Sequence, residues 1–166
     1  SYGIQEESLQ EVVDEVRAKG AQAVVLLSHN GMDVDLKLAS RVTGIDFILG
    51  GHTHDGVPNA IPVKNSSGTT YVTNAGSNSK FLGVLDMDIR GGKLRDFKYR
   101  LLPVFSNMLP ADPAMETFVT NVRKPYIEKL SEPLAVSEGL LYRRGNFNGS
   151  FDDLICEALM EQRDAE

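Results

Sequence analysis

The chain has 166 residues, a net charge of −6, 42% hydrophobic and 24% charged side chains. That supplies apolar material for a buried core and excludes a disordered segment, and no run approaches the ~18 apolar residues of a membrane-spanning helix. Basic residues are scattered, with Arg143-Arg144 the one arginine pair, which excludes a nucleic-acid polymer as partner. An anionic small substrate would need positive charge from another source, such as bound metal ions. The single cysteine, Cys156, rules out an internal disulfide. The chain opens on Ser1, lacks a signal pattern, and closes on Glu166 inside a helical pattern, so the expectation is an excerpt of a longer protein.

Leu9, Val12, Val13 and Val16 recur at helical spacing before Gly20. Ala23 to Leu27 is a continuous apolar run, the pattern of a strand buried on both faces. After the polar loop Ser28-His29-Asn30-Gly31, Asp33 or Asp35 is placed to cap a helix whose stripe is Leu36, Leu38, Ala39 and Val42. Gly44 ends it, and Asp46 to Leu49 forms a second strand closing on Gly50-Gly51. Strand, helix and strand in this order predict a βαβ unit with a parallel pair. Four further strands follow at Ile61 to Val63, Thr69 to Thr73, Phe81 to Ile89 and Leu94 to Leu102, the last two forming a hairpin across Arg90-Gly91-Gly92. Asp112 and Pro113 open a helix with the stripe Met115, Phe118, Val119 and Val122, restarted at Pro125. A strand is expected over Leu134 to Leu141, then a helix capped by Ser150 with Asp153, in which Cys156 takes an apolar position and reads as a buried thiol. The two Asn-x-Ser matches, at Asn65 and Asn148, are short enough to arise by chance.

All three histidines fall in two loops. His29 follows the first strand, and His52 and His54 follow the second, within Gly50-Gly51-His52-Thr53-His54-Asp55. In a parallel βαβ unit both loops leave the carboxyl edge of the sheet, where α/β proteins place their ligands. In extended chain, residues two apart point to one side, so His52 and His54 aim at one region. Neutral imidazole is the commonest protein metal ligand, and three of them converging define a candidate site for zinc, manganese or iron. Any one of these histidines alone reads as a surface loop residue; their joint placement favours metal. Asp55 either orients a ligand histidine or belongs to an Asp55-Gly56 turn, the turn being preferred. Asp33 and Asp35 read as helix-start residues, not ligands, and Asn30 is a candidate polar contact at the mouth of the site. No carboxylate has a strong claim to the bridging position that two-metal centres need. Either the site is a single three-histidine metal, or further ligands lie upstream of Ser1.

Ser28-His29-Asn30-Gly31 followed by Gly50-Gly51-His52-Thr53-His54-Asp55 resembles the later metal motifs of calcineurin-like metallophosphoesterases, in their 5′-nucleotidase-like branch. The run from Leu26 through Asp55, with Thr73 to Asn78, Phe81 to Leu85 and Arg143 to Gly149, is similar to the Sox-pathway thiosulfohydrolases within that branch. The resemblance implies an α/β fold: the C-terminal half of a four-layer α/β/β/α catalytic domain over residues 1–105, a linker helix over 106–132, and the start of a second α/β domain over 133–166. It implies two divalent metal ions, manganese before zinc or iron, with His29 and His52 on one and His54 on the other. The acid histidine, the bridging carboxylate and the remaining ligands belong to motifs with no counterpart here, so no catalytic residue is expected within the chain, which alone would be inactive. The implied activity is release of sulfate from a cysteine-bound sulfane-sulfonate on a Sox sulfur-carrier protein, in the periplasm and without a membrane partner. The alternatives are a 5′-nucleotidase or related phosphoesterase and, in another class, a non-catalytic metal-binding module.

Overall fold

Strand β1 (Val25–Leu27) lies between helix α1 (Glu6–Ala18) and helix α2 (Met32–Arg41) in sequence, and α2 leads into strand β2 (Phe47–Gly50). The computed structural model describes residues 4–143 and 149–163. The chain divides into two compact units, Ser1–Pro110 and Ala111–Glu166.

In the first unit, β1, β2 and strands β3 (Ile61–Asn65) and β4 (Gly68–Asn74) form one sheet in the order β1-β2-β4-β3. β1 and β4 both run parallel to β2, and β3 returns antiparallel to β4. Leu27 pairs with Leu49, and Gly50 pairs with Asn74, so β1, β2 and β4 finish together at one edge. Strands β5 (Phe81–Arg90) and β6 (Lys93–Pro103) make a separate antiparallel ribbon, with a register shift between Asp88 and Ile89.

Alternation along β2 explains the layering, because neighbouring strand residues face opposite sides. Ile48 joins Val72 of β4, Val13 of α1, and Leu38, Ala39 and Val42 of the α2 region in one buried core. Phe47 faces the other way and is fully buried, stacked on Tyr71 at 5.4 Å and met edge-on by Phe97 of the ribbon at 5.0 Å. Helices, sheet and ribbon therefore form three layers, and the continuous apolar run of β2 reflects burial on both faces. At the opposite end of β2, Arg17 of α1 pairs with Asp46 and donates to the Gly44 carbonyl at 2.8 Å. Asp46 also accepts from Val24 N at 2.8 Å, tying α1 and β1 to the start of β2.

Two sequence expectations change here. β1 is three residues long and only half-buried: Val24 and Leu26 pack towards the helices, while Leu27 is 78% exposed. The ribbon covers Phe47 and Tyr71 but, among the described residues, nothing covers that face of β1. No strand forms over Leu134 to Leu141, where Leu134 and Val136 are almost fully exposed. A ladder needs a partner strand, and among the described residues this segment has none.

In the second unit, Asp112 caps helix α3 (Pro113–Arg123) by accepting from Met115 N at 2.8 Å. A single 3-10 turn at Lys124–Tyr126 absorbs Pro125 before helix α4 (Ile127–Leu130). Ser150 is the first residue of helix α5 (Ser150–Arg163), and its hydroxyl accepts from Tyr142 N at 2.9 Å. Cys156 is exposed, not buried, because no side chain of α5 enters a core among the described residues. Arg144 to Asn148, part of the run singled out from sequence, lie outside the described residues. No helix among the described residues is long and apolar enough to cross a membrane.

Phe47→Ala should remove one of the two sheet rings, Phe47 and Tyr71, that Phe97 of the ribbon meets. A fully buried Phe truncated to Ala typically costs about 3–5 kcal/mol. Denaturant unfolding of the variant should show a loss of that size, and a change below about 1 kcal/mol would mean that the aromatic trio does not hold the layers together.

Candidate functional site

The common edge of β1 and β2 decides where the histidines emerge. Ser28 N donates to the Leu49 carbonyl at 3.0 Å, carrying the ladder one residue past β1, so His29 leaves the sheet beside Gly50-Gly51. The rings of His29 and His52 meet edge to face, with centroids 5.2 Å apart and planes at 71°. Gly51 makes this approach possible: a Cβ there would lie 3.1 Å from His29 Nδ1 and 3.4 Å from the Ser28 carbonyl. His52 and His54 both adopt left-handed backbone, at φ 77° and 61°. Histidine enters that region more readily than most residues, but it is uncommon, and two instances in three residues mark a constrained loop. The extended-chain alternation expected for this pair therefore does not apply. All three histidines are exposed.

The first turn of α2 holds both loops. Its N-cap, Gly31, has no side chain with which to satisfy the helix's free N–H groups. Thr53, from between the two histidines of the other loop, accepts from Met32 N at 3.1 Å and donates to Asp55. Asp55 thus braces the loop through Thr53, and its carbonyl accepts from Gly76 N at 2.7 Å. Asp33 and Asp35 do not cap α2, although both lie in its first turn. Asp35 is instead fully buried and accepts from the Ser28 hydroxyl at 2.5 Å. Ser28 Oγ in turn accepts from the Asn30 side-chain amide at 3.0 Å. Burial pushes the Asp35 carboxyl above the usual aspartate range, against the smaller opposing effect of its bonds to Ser28 and Asn30. Beneath the Gly50-Gly51 turn, a Cβ on Gly50 would lie 2.7 Å from Asp35 Oδ2 and 3.6 Å from Asn74 Nδ2. Asp35 Oδ2 and both polar atoms of the Asn74 amide are buried without a hydrogen-bond partner among the described residues.

His29 and His52 come together; His54 joins no such group. Among the described residues no three His, Cys, Asp or Glu side chains are arranged to hold an ion. The donor set fits a divalent cation in part: two exposed imidazoles on a glycine floor offer two nitrogen ligands, and a complete site needs further donors. Asn74 and the buried role of Asp35 were not foreseen from sequence. The signal for Asp35 was present, because it sits three, four and seven residues before Leu38, Ala39 and Val42, on the apolar stripe itself. Nothing in the pattern around Asn74 distinguishes it from a strand-end turn residue.

No family model matches the chain. Over 98% of its length it superposes on the sulfate thiohydrolase SoxB of Thermus thermophilus, at 41% identity and a TM-score of 0.81. A 5′-nucleotidase precursor, also from Thermus thermophilus, superposes over the same share, at 26% identity and a TM-score of 0.84. The chain belongs to the 5′-nucleotidase family of metallophosphoesterases. A trifunctional nucleotide phosphoesterase of Bacillus subtilis, YfkN, is 42% identical over 64 residues, which are 39% of this chain and 4% of that protein. These relatives are hydrolases, and the chain spans 29% of the SoxB chain and 36% of the nucleotidase chain.

Two outcomes follow for the loop clamp. Thr53→Ala removes the acceptor of an α2 N–H, and loss of such a cap costs about 1 kcal/mol. The thermal midpoint should fall by about 2–4 °C in a chain of this size, and an unchanged midpoint would contradict the capping role. Asp35 also imposes a pH dependence. Just above the ordinary aspartate pKa the folded state keeps a proton that the unfolded chain has released, so rising pH favours unfolding until the raised folded pKa is passed. Metal-free protein should lose stability across that window, and Asp35→Asn should flatten the slope in denaturant titrations at stepped pH.

Proposed function

We propose that the chain is part of a thiosulfohydrolase that releases sulfate from a cysteine-bound sulfane-sulfonate on a Sox sulfur-carrier protein. The observation that carries this reading is the 41% identity to a sulfate thiohydrolase over 98% of the chain, against 26% to the Thermus nucleotidase. In domain terms, residues 1–105 would belong to the catalytic domain, 106–132 to a linker helix and 133–166 to the start of a substrate-binding domain. A periplasmic location belongs to the same reading.

In this reading His29 and His52 are ligands of one divalent metal and His54 of a second, in a two-metal centre of manganese, zinc or iron whose other ligands come from elsewhere in the full protein. Such ions supply Lewis acidity and neutralise the substrate's anionic oxygens. The residues of this chain bind and orient. Gly51 lets the His29 ring lie against backbone, and the left-handed turns at His52 and His54 present both imidazoles to solvent, where a protein-borne substrate can reach them. Asn30, at the mouth of the site in this reading, donates its side-chain amide to Ser28. In the reaction, water oxygen adds to the sulfonate sulfur, the sulfur–sulfur bond breaks with its electron pair staying on the carrier's sulfane sulfur, sulfate leaves, and the two water protons pass to that sulfur and to solvent.

A second reading, a 5′-nucleotidase or related phosphoesterase, is favoured by the higher TM-score of 0.84 to the Thermus nucleotidase and by a 5′-nucleotidase of Diplobatis ommata that is 23% identical over 94% of the chain. Phosphate and sulfonate present similar tetrahedral oxyanions, so one site can serve either. The deciding assay supplies the full protein with manganese and offers AMP and a carrier bearing a cysteine-linked sulfane-sulfonate in parallel. Sulfate without phosphate, abolished by His52→Ala, is expected. Phosphate from AMP with no sulfate would replace this reading by the nucleotidase, and no turnover of either would favour a non-catalytic metal-binding module.

A further inference from the structure

We propose that Asp35 is a positioning residue for the histidine site, its buried carboxyl group fixing the His29 loop through Ser28 and the His52 loop through Gly50. This rests on the reading of His29 and His52 as metal ligands. Asp35 touches neither ring, so its effect would travel through backbone.

Asp35 occupies a core position of α2, in line with Leu38, Ala39 and Val42, yet it is a carboxyl group with no exposed surface. A buried polar group is costly unless it is bonded, and an apolar side chain would satisfy the core at less cost. The contacts of its two oxygens indicate what it holds. Oδ1 takes the Ser28 hydroxyl at 2.5 Å, while Ser28 N is held by the Leu49 carbonyl at 3.0 Å, so the residue before His29 is fixed at both ends. Oδ2 lies against Gly50, where a Cβ would come within 2.7 Å, so the start of the Gly50-Gly51-His52 turn rests on the carboxyl group. From the far side, Asn74 pairs in register with Gly50 and brings a buried amide to the same place. The carboxyl group therefore sits beneath the carboxyl ends of β1 and β2, the two strands that deliver the rings found 5.2 Å apart. Helix α2, which carries it, is also the connection between those strands. A shift of its first turn would move both loops.

Residues behind a metal ligand that fix its orientation typically change metal affinity about 10–100-fold when removed. The test measures Mn²⁺ affinity of the full protein by calorimetric titration after metal stripping, alongside the thermal midpoint of the metal-free form and the imidazole ¹⁵N shifts of its histidines. Asp35→Ala should weaken Mn²⁺ binding about tenfold or more and move the His29 and His52 shifts before metal is added. Asp35→Asn keeps an acceptor for Ser28 and the same volume, and should retain wild-type affinity. Ser28→Ala cuts the link to the His29 loop and should lose affinity in the same direction, which keeps the proposal testable if Asp35→Ala fails to fold. Thr70→Val is the control, since Thr70 is fully buried and donates to the Ile45 carbonyl at 2.7 Å towards the other end of the sheet. It should lower the midpoint and leave affinity unchanged. Affinity loss in Thr70→Val matching that of Asp35→Ala, or wild-type affinity in Asp35→Ala or Ser28→Ala, would overturn the positioning role alone. A wild-type protein that binds no Mn²⁺ would remove the metal reading as well.

Discussion

A helix that begins without a capping side chain must find an acceptor elsewhere, and at α2 it comes from the loop on the far side of the βαβ unit. Thr53 accepts from Met32 N because Gly31 cannot supply an oxygen, and that bond spans 21 residues of sequence. Three residues further along the same helix, Asp35 turns inward and takes the hydroxyl of Ser28 from the loop before the helix. The helix start thereby becomes the point at which both histidine-bearing loops are fastened. Removing an acceptor at either bond would leave a backbone or side-chain donor to find another partner, the costlier half of any hydrogen bond.

Sheet topology makes this fastening possible. Because β1 and β2 run parallel and in register, their carboxyl ends finish together, and α2 must start beside the loop that follows β2. Core packing fixes that start. Leu38, Ala39 and Val42 press against Ile48 and Val72, and the Arg17–Asp46 pair secures the amino end of β2. The ribbon adds a second cover: Phe97 meets Phe47 and Tyr71 near the amino end of β2, and the Phe81 ring lies against Gly56 and Gly76, just beyond the histidine turn.

Much of this was legible in the residues. Apolar periodicity located α1, α2, β2 and the ribbon, and the order strand–helix–strand placed His29 and His52 at one edge. The losses have physical causes. Periodicity reports that a residue is apolar, not that something covers it, so Leu27 was read as part of a strand buried on both faces, and Leu134 as the start of another strand, where no covering layer is present among the described residues. Asp35 near a helix start suits a cap by composition, and only its phase with Leu38 and Ala39 points inward. The Thr53 bond is invisible to local reasoning, because it joins residues that share neither an element nor a pattern.

The left-handed backbone at His52 and His54 narrows what these positions can become. Glycine, asparagine and aspartate occupy that conformation at little cost, whereas β-branched residues do not. A change from histidine to asparagine or glycine would leave the turn, the Thr53 bond and the sheet edge as they are while removing an imidazole. The shape of the site and its chemistry can therefore be inherited separately, and a lineage can lose these imidazoles and keep an intact scaffold, open to reuse as a binding surface.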